Sequence, residues 1–175
     1  MPPAETARPI KRKRRRKKKP GEILRIPLGD EEYGYLQVLN DGHVSAIDYR
    51  GPTTDPAEIG HAGRLFRVCV YDEALKIEEW ISLGSTDIPA DLMTEPYKFK
   101  QDKITGRLAI YHSEYKDTNY ERPATLSECL GLECAAVWAA NHVQDRLKDH
   151  FAGVENKSVR SLSIDIDRVP GDQRD

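Results

Sequence analysis

The stretch YGYLQVLN-DG-HVSAIDY, residues 33–49, sets the fold class. Two runs rich in aromatic and β-branched residues flank Asp41-Gly42, a dipeptide suited to a two-residue hairpin turn with positive φ. Its neighbours carry the same period of two. Residues 22–28 (EILRIPL) put Ile23, Arg25 and Pro27 on one side and Leu24, Ile26 and Leu28 on the other. Residues 64–71 (RLFRVCVY) oppose Phe66, Val68 and Val70 to Arg67, Cys69 and Tyr71. Shorter strands are expected at 79–83, 97–101 and 107–111, the last two joined by a turn ending at Gly106.

The pattern changes after Pro123. Thr125 with Glu128 three residues on predicts a capping box on a short helix that Gly131 ends. A second helix is expected from about 139–141 to Ala152, with Val143, Leu147 and Phe151 on one stripe and Gly153 as its stop. Residues 158–167 alternate Leu162, Ile164 and Ile166 with Ser161, Ser163, Asp165 and Asp167, which predicts a closing strand with an acidic outer face. Together these describe an α+β domain, mostly β. We expect a small, strongly bent antiparallel sheet or partial barrel with a C-terminal helical pair packed on it.

Charge divides the chain. Of 175 residues, 27 are Lys or Arg and 29 Asp or Glu, for a net charge of -2. Ten of the cations and a single acid fall in residues 1–19, so the tail carries +9 and the remainder -11. Lys11, Arg12, Lys13, Arg14, Arg15, Arg16, Lys17, Lys18 and Lys19 form an unbroken block that repels itself and offers no apolar surface. We therefore expect a disordered tail at 1–19, a single domain at 20–170 and a short C-terminal tail at 171–175. The block could contact phosphate without reading sequence, act as a nuclear import signal, or fold back on the acidic body.

Other classes are disfavoured. The longest apolar run, residues 134–140, has seven residues, whereas a spanning helix needs about 20. No apolar stretch follows the N-terminal charge, so no secretory signal is expected and a cytoplasmic location is. Three cysteines, Cys69, Cys129 and Cys134, suit packed thiols better than a disulfide scaffold. Five scattered histidines lack the spacing of a metal site, so no metal or cofactor is expected.

No phosphate loop, dinucleotide fingerprint, nucleophile elbow or zinc-protease helix occurs. Asp102 followed by Glu114-Tyr115-Lys116 resembles the acid, acid-x-lysine arrangement of some metal-dependent nucleases. In a chain with 32% charged residues such a triplet arises by chance, and we read it as solvated loop. Two acidic groups stand beside aromatics: Asp30, Glu31 and Glu32 before Tyr33 and Tyr35, and Asp72, Glu73, Glu78 and Glu79 around Trp80. As a binding surface they would select a cationic partner. As ordinary turns they would only carry aromatics into the core.

One resemblance follows the order of these segments: KPGEILRIPL at 19–28, YGYLQVL at 33–39, LFRV at 65–68, and Lys100-Gln101-Asp102 through Thr105-Gly106. Later pieces are Pro123-Ala124-Thr125, Gly131-Leu132-Glu133, Ala135-Ala136-Val137-Trp138, and His142-Val143 through Arg146-Leu147. The chain resembles the immunity protein 26 family of bacterial polymorphic toxin systems from about Lys19 to Phe151. The resemblance implies a mostly β, non-enzymatic cytosolic protein that binds and neutralises a cognate toxin domain, often a nuclease, encoded beside it. An acidic body would then mask the basic surface that a nuclease presents to its substrate. The alternative is a nucleic-acid-associated adaptor using the basic tail, and behind it a metal-dependent nuclease.

Overall fold

The structure, a computed structural model, describes residues 16–112 and 120–175. Its centre is the expected hairpin. Strand β2 (Glu32–Val38) and strand β3 (His43–Ile47) pair antiparallel with Val38 opposite Val44. Between them Asp41 and Gly42 take φ of 54° and 74°, and the Asn40 carbonyl accepts from the His43 N–H at 3.1 Å. Positive φ at both central residues matches the right-handed twist of the flanking strands.

Strand β1 (Glu22–Gly29) pairs with β2 on its other side, and β4 (Arg64–Val70) pairs with β3. Strand β5 (Ile81–Ser85) lies against β1 at one edge. These five strands are antiparallel. The opposite edge breaks the pattern, because β9 (Val137–Trp138) pairs parallel to β4, with Cys69 opposite Val137 and Val70 opposite Trp138. The order is β5-β1-β2-β3-β4-β9, an open sheet rather than a closed barrel. A second sheet, β6-β7-β8, is formed by Lys98–Gln101, Leu108–His112 and Tyr120–Pro123.

The large sheet is covered on both faces. On one, Leu24, Ile26, Leu36, Val44, Val68 and Trp80 pack with Trp138 and with Val143 and Leu147 of helix α3 (Ala140–Ala152). On the other, Ile23, Tyr35 and Ile47 pack with Ile59 of the short helix α1 (Pro56–Gly60). This explains why β2 is buried almost throughout, although its sequence alternates only partly. The small sheet has its own core of Phe99, Leu108, Ile110, Ala124, Cys129 and Val169.

Helix α2 (Leu126–Cys129) carries the expected capping box with both reciprocal bonds formed: Thr125 Oγ1 accepts from the Glu128 N–H at 3.4 Å, and Glu128 Oε2 accepts from the Thr125 N–H at 2.9 Å. Gly153 ends α3 in the left-handed conformation, φ 69°. The closing strand at 158–167 does not form. Residues there make helix α4 (Lys157–Leu162) and a 3₁₀ turn, Ile166–Arg168. Asn156 Oδ1 accepts from the N–H groups of Ser158 and Val159, each at 3.0 Å, and starts the helix. Val159 and Leu162, three apart, then rest on the main core. Three alternating apolar residues do not outweigh a cap and a helical contact pair.

The last residues are tied in by Gln173. Its Nε2 donates to the carbonyls of Leu108 and Ala124 at 2.8 Å each, and its Oε1 accepts from the Leu108 N–H at 3.0 Å. Among the described residues, no helix is long and apolar enough to cross a membrane.

Candidate functional site

The two acidic groups stand at opposite ends of the large sheet. Asp30 and Glu31 are the central residues of the β1–β2 turn, both exposed, with φ of 47° and 62°. Glu32 opens β2 and faces Arg50 at 3.6 Å. Asp72 follows β4, at the end where the Val70 N–H donates to Gly42 O beside the β2–β3 turn. Seven strand residues at about 3.3 Å each therefore separate the two groups by roughly 20 Å. They do not make one patch.

Asp72, Glu73, Glu78 and Glu79 are exposed on a loop whose middle is a 3₁₀ turn, Ala74–Lys76. Trp80 at its end is fully buried, as is Tyr35 in β2. Neither aromatic is available as a surface anchor. Tyr33 is half-buried, with the Arg25 guanidinium 4.3 Å from its ring centre.

The acidic loop already has cationic company. Lys17 Nζ lies 2.7 Å from Asp72 Oδ1, and this bond holds the Asp72 carboxyl below its usual range. The Lys18 N–H donates to Leu75 O at 2.9 Å and its ammonium to Ile77 O. Arg16 and Lys19 both reach the Glu22 carboxylate, at 2.6 and 3.2 Å. Lys11, Arg12, Lys13, Arg14 and Arg15 lie outside the described residues.

Of the possible nuclease residues, Glu114 and Lys116 also lie outside the described residues. Asp102 sits in the β6–β7 turn. Its Oδ1 accepts from the Ile104 and Thr105 N–H groups at 2.9 and 2.6 Å and from the Thr105 hydroxyl at 2.9 Å. These bonds from Thr105 and Ile104 keep the carboxyl ionised below its usual range, and they build the turn. Among the described residues, no group of His, Cys, Asp and Glu could hold a metal ion.

One cluster was invisible in the sequence. His43, Glu95 and Lys98 are buried together between the two sheets: Lys98 Nζ lies 2.7 Å from Glu95 Oε1, and His43 Nε2 lies 3.6 Å from the same oxygen. His112 Nε2 is bonded to the Glu95 carbonyl at 2.9 Å. Burial, reinforced by the Lys98 charge, pushes the His43 pKa down to about 4, so the ring is neutral near pH 7. The cluster faces a cavity of about 210 Å³ that Cys69 also lines. Burial raises the Cys69, Cys129 and Cys134 thiols, and all three are unpaired. A neutral histidine beside an un-ionised thiol and a satisfied ion pair is a packing arrangement that locks one sheet to the other.

Acidic residues are thus exposed at both ends of the large sheet, while Tyr35 and Trp80 beside them are buried. Comparison with known families places the chain among the immunity proteins. The chain matches the model of Immunity protein 26 over residues 19–109, which is more than half its length, and it belongs to that family. No curated protein and no solved structure matches it. The matched segment runs from β1 into β7 and includes both acidic groups, while the later pieces of the resemblance lie beyond it.

Proposed function

We propose that the chain binds a cognate toxin domain in the cytoplasm and neutralises it by covering a basic, phosphate-binding surface of a nuclease. Family membership supports the immunity role. The observation that carries the mechanism is the loop at 72–79, whose Asp72 and carbonyl groups already hold lysines at bonding distance. Asp72, Glu73, Glu78 and Glu79 are the contact residues on this reading. Asp30, Glu31 and Glu32, at the far end of the sheet, would require a second contact region on the toxin.

The test uses the toxin domain encoded next to this gene. Association measured at rising ionic strength should slow steeply, by roughly tenfold or more between 50 mM and 500 mM salt, while dissociation changes little. An on-rate indifferent to salt would remove electrostatic steering from the mechanism. Replacing Asp72, Glu78 and Glu79 by their amides should weaken binding, whereas amides at Asp30 and Glu31 separate the contribution of the other end.

The adaptor reading gains little from the geometry. Among the described residues of the basic run, Arg16, Lys17 and Lys18 place their charged groups on carboxylates and a carbonyl of this chain.

A further inference from the structure

Residues 16–19 cross the end of the large sheet as a strap. Arg16 NH2 donates to Glu22 Oε1 at 2.6 Å, and the second oxygen of that buried carboxylate accepts from the Lys19 N–H at 3.2 Å. Lys17 bridges to Asp72 at 2.7 Å. Lys18 uses both its backbone N–H, to Leu75 O at 2.9 Å, and its ammonium, to Ile77 O, within the field of Glu78 and Glu79. Backbone and side chains act together, so the strap has a register and is more than a cation cloud near acids.

Its outer grip is nevertheless exchangeable. Lys17 and Asp72 are 47% and 57% exposed, and an ion pair in that position is weak and easily screened. A lysine-rich or arginine-rich segment from another protein presents the same groups to the same acceptors. We propose that residues 16–19 are an internal competitor: they occupy the 72–79 loop and must be displaced before a cationic partner can use it. The inference rests on the reading of that loop as a receptor for basic protein surfaces, and adds that the receptor is delivered already filled.

A labelled nona-lysine peptide tests this with the full chain and no toxin. At low salt, Lys17→Gln/Lys18→Gln should bind the peptide roughly threefold to tenfold tighter than wild type, the range that one or two exposed pairs can supply. Adding Asp72→Asn/Glu78→Gln/Glu79→Gln should abolish the gain. The control, Lys11→Gln/Lys13→Gln, removes equal charge outside the strap and should give no comparable gain. An equal gain in the control, no gain in the strap variant, or a gain that survives loss of the acids would each overturn the proposal. A second readout needs no variant: trypsin cleavage after Lys17 and Lys18 should accelerate with salt relative to a free peptide of the same sequence, and unprotected bonds at low salt would overturn it equally. If the peptide results hold but strap substitution leaves toxin affinity unchanged, the strap stands and the toxin uses another face.

Discussion

The buried His43 ring sits 3.6 Å from the carboxylate of a buried Glu95–Lys98 pair. Its folded pKa of about 4 lies below the ordinary 6.5. The unfolded chain therefore takes up a proton first as pH falls, and the stability associated with a neutral ring is lost between about pH 6.5 and 4. Full titration over that interval corresponds to roughly 3 kcal/mol. Thermal midpoints from pH 7.5 to 4.5 should fall more steeply for wild type than for His43→Gln, and parallel slopes would refute the assignment. At Glu31, where a side chain is held at φ 62°, Glu31→Gly should raise stability by ~1 kcal/mol in a urea titration. A turn at Asp30–Glu32 was one of the two readings their composition allowed, but the positive φ at both central residues was not legible, because neither is a glycine or asparagine. Asp41-Gly42, with the expected residue types, was read correctly. The buried trio was equally hidden: His43, Glu95 and Lys98 are ordinary polar residues in a heavily charged chain until two sheets bring them together.

Elements with strong local chemistry were the legible ones. The capping box at Thr125 and the Gly153 stop on α3 each depend on contacts within a few residues, and both formed. The segment after Asn156 failed because its alternation competed with a cap and a tertiary face, neither of which a period of two reports. Gly106 shows how far such tertiary demands reach. It has φ 73°, and a Cβ there would stand 1.9 Å from the Arg168 carbonyl oxygen, which belongs to the 3₁₀ turn sealing the small sheet. Gly106→Ala should destabilise by more than ~3 kcal/mol. Gly131→Ala, at φ 83° with nothing within 4 Å, should cost only ~1 kcal/mol. Comparable losses in urea titrations of the two variants would show that the close approach is not what constrains position 106.

Across the whole molecule, the α+β, mostly β class and the helical pair were readable, whereas the division into two sheets was not. That division arises because residues 86–97 leave β5 and place β6 in a separate sheet, with Glu95 as the link back to His43. The proposed contact residues were legible as charge, whereas their separation follows only once β1 to β4 are known to form one antiparallel meander, which puts the β1–β2 turn with Asp30 and the end of β4 with Asp72 at opposite ends. The matched family segment, 19–109, does not contain the whole main core. Trp138, Val143 and Leu147 belong to the main core and lie beyond it. A chain ending at residue 109 should lack cooperative thermal unfolding and the near-ultraviolet dichroism of Trp80, and a sharp transition would show that the five antiparallel strands suffice.

The two-residue parallel strand β9 has a consequence for biosynthesis. The five antiparallel strands are complete once Ser85 has left the ribosome, yet the outer edge of β4 gains its partner only when Val137 and Trp138 follow. During that interval the nascent chain presents an unpaired hydrogen-bonding edge ending in Val68 and Val70, a template for pairing with other polypeptides. Slow translation between these points should favour aggregation, and a chaperone that shields strand edges would be needed most before β9 arrives.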